Sequence, residues 1–137
     1  MRTLPSFATI CLLGTALAAL LPACSSDAEP TPTDPVAKGE AIWLNKDVDC
    51  GSCHGPDAKG LYGPNITNSM TAGIGGWTLA QFTGAVRNGV DEKGVALCAS
   101  MTTFTAAEIN DAQMSDLFAY IKSKPVSDVP NTGTFCP

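Results

Sequence analysis

The residues best suited to chemistry are two cysteines and the histidine that follows them, in the run Cys50-Gly51-Ser52-Cys53-His54. Cysteines three positions apart lie on one turn of chain, where each thiol can form a thioether with a vinyl group of a haem. The histidine directly after the second cysteine can then donate a ring nitrogen to the iron. The spacing therefore predicts one covalently bound haem c with His54 as an iron ligand.

Two other interpretations of the same residues remain open at this point. A Cys-x-x-Cys pair also occurs as a redox-active dithiol, although the strand–helix–strand pattern expected around it is missing here. Cys50, Cys53 and His54 could instead hold zinc, but a closed structural zinc site needs a fourth ligand. An export leader, a helix before the motif and a glycine-rich loop after it favour haem.

The second axial ligand of such a haem is restricted by composition. His54 is the one histidine in the chain, so a second histidine ligand is impossible within it. The candidates are Met70, Met101, Met114 or a vacant position. Met114 falls in the apolar stripe of the last predicted helix, which indicates a core residue. Met70 lies in the loop soon after His54, where the chain is expected to be still on the histidine side of the haem. Met101 lies in the loop between the last two helices and is the predicted sixth ligand.

The first residues have the pattern of an export signal. Arg2 is followed by an uncharged, mainly apolar run at residues 7–21, which is shorter than the ~20 residues that span a bilayer. The run ends at Ala23 and Cys24, which resembles the lipobox of bacterial lipoproteins. We therefore expect residues 1–23 to be a signal peptide and Cys24 to be lipidated, with ordinary secretion as the alternative. Either route predicts a periplasmic or other extracytoplasmic location, and the first predicts a lipid anchor in a bacterial membrane.

Residues 24–35 are polar and rich in proline, which predicts an extended tether between the lipid and the folded domain. Loss of residues 1–23 removes one of 8 basic residues and none of the 13 acidic ones, leaving a formal charge of −6. Such a surface disfavours nucleic acid and suits a partner with a basic docking patch. No later apolar run is long enough to span a membrane, so membrane contact is expected from the lipid alone.

Two of the six cysteines remain once the leader, the lipidated residue and the haem motif are accounted for: Cys98 and Cys136. In an oxidising compartment the simplest interpretation is a disulfide between them, and two inert thiols are the alternative. The bridge would enclose 37 residues, which is worth about 3–4 kcal/mol on the chain-entropy model. It would pin residues 126–137 as a C-terminal tail.

Helix signals divide the remaining chain. Asp34 before Pro35 predicts a helix start, and residues 55–77, rich in glycine and proline, predict a long wrapped loop. Capping-box patterns at Thr78 and at Thr105 predict two further helices, the first closed by Gly89 and the second running from Thr105 to Lys124. No stretch alternates as a strand does. The fold class is therefore all-α, with three to four helices and long loops wrapped around one haem in a domain at residues 36–125.

Residues outside the haem motif show a resemblance to a known protein family. Gly39 and Trp43 in the first helix, with Leu117 and Tyr120 in the last, resemble the crossing of terminal helices in the class I cytochromes c. There a glycine permits close approach and an aromatic ring packs across it. The resemblance runs from about residue 34 to residue 125 and implies the cytochrome c fold.

The resemblance also implies roles for single residues. Gly63-Pro64-Asn65-Ile66 resembles the family's Gly-Pro-Asn-Leu segment, in which the proline carbonyl accepts the second N–H of the haem histidine. The segment ending at Trp77 and the one around Arg87 are similar to cytochrome subunits of periplasmic dehydrogenases. Trp77 and Arg87 are therefore expected to contact the haem propionates, with core packing and a solvated helix face as their alternatives.

The resemblance implies an electron carrier and not an enzyme. It would pass one electron at a time between extracytoplasmic redox partners, such as a dehydrogenase and an oxidase. Met101-Thr102 stands where the family usually has Met-Pro, which leaves the ligand loop less rigid. The alternative is a haem enzyme or gas-binding sensor with a vacant sixth site, and a third possibility is a tethered subunit of a larger complex.

Overall fold

The computed structural model describes residues 33–130. The predicted signal peptide, Cys24, nearly all of the tether, and Cys136 lie outside these residues. Four helices occur in the described part, and their bounds are α1 (Pro35–Trp43), α2 (Cys50–His54), α3 (Leu79–Asn88) and α4 (Asp111–Ser123). In addition, Val90 and Ala96 form an isolated antiparallel β-bridge. The predicted all-α class is confirmed.

The caps of α1 and α3 follow from their sequences. The Asp34 carboxylate accepts the N–H of Ala37 at 3.2 Å, and Pro35 opens the helix. Before α3, the side chains of Thr78 and Gln81 each accept a backbone N–H of the other. Such caps satisfy N–H groups that have no partner inside the helix. Both predicted helix starts are confirmed.

The predicted start of the last helix is wrong. Glu108 does accept the N–H and hydroxyl of Thr105, at 2.7 and 2.8 Å, but these bonds close a single turn. These bonds also lower the pKa of the exposed Glu108 carboxyl. A second capping box, between Asn110 and Gln113, starts α4 at Asp111. The two capping boxes begin five residues apart, at Thr105 and at Asn110. The first closes a single turn, and the second, with its own side-chain cap, begins α4.

Residues 55–78 contain no helix, as the glycine and proline content predicted. Backbone bonds fold this loop back on itself: Gly60 and Gly63 N–H donate to the carbonyls of His54 and Cys53 at 2.9 and 2.7 Å. Farther along, Ile74 N–H donates to the carbonyl of Thr67 at 2.9 Å. The loop is thus an ordered wall made from chain without regular secondary structure.

Helices α1 and α4 cross at a glycine. A Cβ on Gly39 would overlap the carbonyl oxygen of Asp116 and lie 2.6 Å from Cβ of Tyr120. The Trp43 and Tyr120 rings pack beside this point, with centroids 5.9 Å apart. Met114, as predicted, is a core residue and is 1% exposed. Within residues 33–130 no helix combines the length and apolar character needed to cross a membrane.

Replacing Gly39 by alanine tests the crossing. We expect G39A to lower the free energy of unfolding by ~1–3 kcal/mol, because α1 and α4 must separate to admit the methyl group. The measurement is denaturant unfolding followed by circular dichroism.

Gly84 is the matched control, since it also lies inside a helix, but its added Cβ would meet only Val90 Cγ2, at 3.7 Å. We expect G84A to be neutral or up to ~1 kcal/mol stabilising, because alanine favours helix. Equal destabilisation by the two variants would show that close approach at Gly39 is not required.

Candidate functional site

The attachment motif forms the short helix α2, which places its two thiols on a cavity wall. Cys50 and Cys53 are free thiols that both line a cavity of about 670 Å³. Burial raises the pKa of the Cys50 thiol to about 11. Redox-active pairs have a lowered pKa. The environment of Cys50 therefore argues against the redox dithiol.

His54 is held by the hydrogen bond that the sequence predicted. Its Nδ1 lies 2.8 Å from the carbonyl oxygen of Pro64, and the side chain is buried. A carbonyl only accepts, so Nδ1 carries the proton and the lone pair of Nε2 is left for a metal. Burial lowers the pKa of His54 and the bond to Pro64 opposes that shift. The result is a neutral imidazole in a fixed orientation.

Gly63 makes this contact possible. A Cβ there would stand 3.0 Å from Cε1 and 3.1 Å from Nδ1 of His54. Those distances are tighter than ordinary carbon contacts, so a side chain at residue 63 would displace the ring. Gly63 and Pro64 therefore act together on His54: Gly63 leaves room for the imidazole ring, and Pro64 supplies the carbonyl that accepts its N–H.

The three methionine candidates are separated by the structure. Met101 lines the same cavity as His54. Met70 is 76% exposed and Met114 is packed in the core, and neither lines the cavity. The structure thus brings together Met101 and the Cys-x-x-Cys-His motif, and coordination by Met101 stays a prediction.

The cavity has the size and lining of a cofactor site. Its volume falls in the range of about 300–1,000 Å³ typical of such sites, and its surface is mostly apolar. Aromatic and aliphatic side chains that line it are Ile66, Ile74, Trp77, Phe82, Leu97 and Phe104. A closed tetrahedral zinc site has bonds of about 2.0–2.3 Å and no such space. The donor set and the apolar walls fit a haem.

Helical periodicity predicts Phe82 and Val86 as one buried stripe of α3, and both line the cavity. It does not find Ile74, Leu97 and Phe104, because they lie in irregular segments where no periodicity marks a buried face. Phe104 is fixed by its N–H, which donates to the carbonyl of Val86 at 2.9 Å. Trp77, which was predicted, is half-buried on the cavity wall.

Arg87 is placed elsewhere, and the structure does not support the predicted propionate contact. Its guanidinium donates to the carbonyls of Ile109 at 2.8 Å and Phe104 at 3.4 Å. It also pairs with the exposed carboxylate of Asp111 at 2.8 Å. Arg87 does not line the cavity. These three hydrogen bonds tie α3 to the start of α4 and to the segment that leads into it.

Cys98 lines the cavity close to the predicted ligand, and its carbonyl accepts the N–H of Met101 at 2.9 Å. Cys50 and Cys53 are free thiols. Cys136 lies outside the described residues, so the pairing of Cys98 with Cys136 stays a prediction. The lining residues that carry a formal charge are Asp49 and Glu92, both acidic.

Comparison with known proteins extends these findings. Residues 36–125 match the sequence model of the family described as Cytochrome c. The chain is similar to the fructose dehydrogenase cytochrome subunit of Gluconobacter japonicus, with 32% identity over 130 residues, or 80% of this chain and 26% of that protein. It is also similar to the gluconate 2-dehydrogenase cytochrome c subunit of Pantoea cypripedii, with 35% identity over 99 residues (62% and 22%). Identity to cytochrome c-551 of Bacillus subtilis strain 168 is 40% over 63 residues (42% and 56%).

The chain spans about a quarter of the length of the two dehydrogenase subunits. The family match, by contrast, runs from within α1 to just past the end of α4. It includes every residue that lines the cavity. The match across this whole unit places the chain in the cytochrome c family, whose members carry covalently attached haem.

Proposed function

We propose that this chain binds a single haem c and carries one electron at a time between redox proteins outside the cytoplasm. Electron transfer by a haem cytochrome follows from the family match. The observation that carries the finer proposal is one apolar cavity lined by two thiols, a neutral histidine and a methionine sulfur. These are the groups needed to attach a haem and to fill both axial positions of its iron.

A single haem is supported by the composition. The chain has one Cys-x-x-Cys-His run and one histidine. A second haem c would need a further pair of suitably spaced cysteines and a further histidine. We therefore propose one haem per chain.

Each residue at the cavity has a defined task. Cys50 and Cys53 would form the thioethers to a haem, and His54, oriented by Pro64, would supply a ring nitrogen to its iron. Met101 would supply the second protein ligand, and Trp77, on the cavity wall, would hydrogen-bond a propionate. Bound iron supplies one-electron chemistry. With both axial positions filled, no site for substrate is needed, which supports a carrier and not an enzyme.

The open side of the cavity indicates where electrons cross. Cys53 is exposed, and Tyr62, which also lines the cavity, is 76% exposed. We propose that electrons cross at this exposed side of the cavity. Two of the three named relatives are cytochrome subunits of dehydrogenases, which supports a dehydrogenase as electron donor. An oxidase-type acceptor and a basic docking patch on the partner complete the proposal.

Absorption spectroscopy of the purified protein tests this function. We expect one haem per chain, full reduction by one electron, and no change on adding carbon monoxide to the reduced protein. Reduced protein should also pass its electron to an oxidised cytochrome acceptor within seconds. Rapid carbon monoxide binding would support instead the gas-binding sensor or haem enzyme with a vacant sixth site, and two electrons per chain would exclude the single-haem proposal.

Substitution of Met101 tests the sixth ligand. M101A should lose the long-wavelength sulfur-to-iron absorption, bind carbon monoxide when reduced, and lower the midpoint potential by on the order of 100 mV, because methionine ligation favours Fe(II). M70A is the matched control, since Met70 is exposed and away from the cavity. It should behave as the wild type. The assignment fails if M70A, and not M101A, shows these changes.

We also propose that the domain is held at the extracytoplasmic face of a bacterial membrane through a lipid on Cys24. The leader pattern and the tether at residues 24–35 support this. We further propose a disulfide between Cys98 and Cys136, which would pin the segment that leads to Met101. The short link from Cys98 to Met101 supports a function for that bridge.

Mass spectrometry of the protein isolated from membranes tests both proposals. The mature chain should begin at Cys24 with attached acyl groups, and a C24S variant should lose them and leave the membrane fraction. Digestion without reduction should yield one cross-linked peptide that contains Cys98 and Cys136. An unmodified N-terminus at another residue would contradict the anchor, and another cysteine joined to Cys98 would contradict the bridge.

A further inference from the structure

The C-terminal segment at residues 127–129 lies beyond the family match, which ends at residue 125. It nevertheless packs on the loop that follows the haem-binding motif. The Nδ2 of Asn65 donates to the carbonyl of Ser127 at 2.7 Å, and Ser127 N–H donates to Oγ1 of Thr67 at 3.2 Å. The Asp128 carboxylate accepts the hydroxyl of Ser69 at 2.6 Å. These contacts join residues that stand about 60 positions apart in sequence.

The loop side of this contact is buried and polar. Asn65 is 2% exposed, and Thr67 and Ser69 are fully buried. The Thr67 hydroxyl accepts from Ser127 N–H and donates to Oδ1 of Asn65 at 2.8 Å, so one hydroxyl joins the tail to the asparagine. Buried polar groups with complete hydrogen bonding hold one geometry, because any shift leaves a donor or acceptor without a partner.

Asn65 is joined by a peptide bond to Pro64, whose carbonyl accepts the Nδ1–H of His54 at 2.8 Å. A peptide unit is planar, so the orientation of the Pro64 carbonyl is set together with the backbone N and Cα of Asn65. Fixing the Asn65 side chain therefore restricts where the Pro64 oxygen points.

We propose that residues 127–129 are part of the haem site, since through Thr67 and Asn65 they position the Pro64 carbonyl that holds His54. Thr67 is a positioning residue, because it does not line the cavity and acts through Asn65, which does. The inference rests on the proposed haem site. The consequence is a lower midpoint potential of the haem. A firmly held acceptor makes the imidazole more basic, and a more basic ligand stabilises Fe(III) over Fe(II).

The test replaces Thr67 by valine, which has the same shape but no hydroxyl. T67V removes the hydroxyl bridge from Ser127 N–H to Asn65 Oδ1 but leaves the direct bond from Asn65 Nδ2 to the Ser127 carbonyl, so we expect it to weaken the His54–Pro64 bond without breaking it. We expect the ratio of reduced to oxidised haem at a fixed ambient potential to rise about threefold, or roughly 30 mV at 59 mV per tenfold change. A second readout is the proton resonance of His54 Nδ1–H in the reduced protein, which should move upfield. His54 is the one histidine, so the resonance is assigned without ambiguity.

The direction in which the midpoint potential changes distinguishes a loss of His54 positioning from a general loosening of the cavity. A variant that merely opens the cavity admits water, which stabilises the more highly charged Fe(III) state and lowers the potential. T67S retains the hydroxyl and should restore the wild-type potential. T105V makes the same hydroxyl-to-methyl change at a turn whose partner, Glu108, is exposed and away from the cavity. It should leave both readouts unchanged.

Asp128 supplies a second variant that keeps the test decisive if T67V folds poorly. Asp128 is exposed, and D128A removes the acceptor for Ser69 and Thr71. It should change both readouts in the same direction as T67V, but less. Unchanged potential and Nδ1–H resonance in a haem-loaded variant, or a lowered potential in both variants, would overturn the inference. A wild-type protein without covalent haem would refute the proposed function itself.

Discussion

The bond between His54 and Pro64 is the constraint on which the site depends. A buried imidazole that is to bind iron must be neutral, must keep its proton on Nδ1, and must not rotate. Burial lowers the pKa of His54 and so favours the neutral ring, while the Pro64 carbonyl fixes the proton on Nδ1 and the orientation of the ring. Much of the surrounding loop serves this contact: Gly63 leaves room for the ring, and its N–H returns to the carbonyl of Cys53 at 2.7 Å. The irregular backbone after α2 is therefore arranged so that it holds the His54 side chain in one orientation.

The second constraint is that one side of the core faces the cavity. Helices α1 and α4 pack closely through Gly39 and Trp43, whereas α3 contributes Phe82 and Val86 to the walls of a cavity of about 670 Å³. Apolar side chains that face such a space gain little from burial until a flat apolar group fills it. The haem thus completes the core as well as supplying the chemistry.

Much of this could be predicted from the sequence because the signals are local. The Cys50–His54 motif, the caps at Asp34 and Thr78, and the wrapped loop each depend on neighbouring residues. The errors are of another kind. Two capping boxes in succession, at Thr105 and Asn110, cannot be ranked without knowing where the chain turns. The partners of Arg87 are carbonyls 17 and 22 residues away, which no periodicity reports.

The C-terminal segment is a further case in which the partners are distant in sequence. Ser127 and Asp128 have no motif, and the family match ends before them. Yet their partners, Thr67 and Ser69, are fully buried polar residues in a glycine-rich loop, where hydroxyls must find hydrogen-bond partners. The distant segment supplies an N–H donor to Thr67 and a carboxylate acceptor to Ser69. Ser127 is connected to Asn65 by a direct hydrogen bond and through the Thr67 hydroxyl, and Asn65 follows Pro64, whose carbonyl holds the proposed iron ligand. Residues outside the family's shared domain are thus positioned to adjust the potential by which a carrier is matched to its partners.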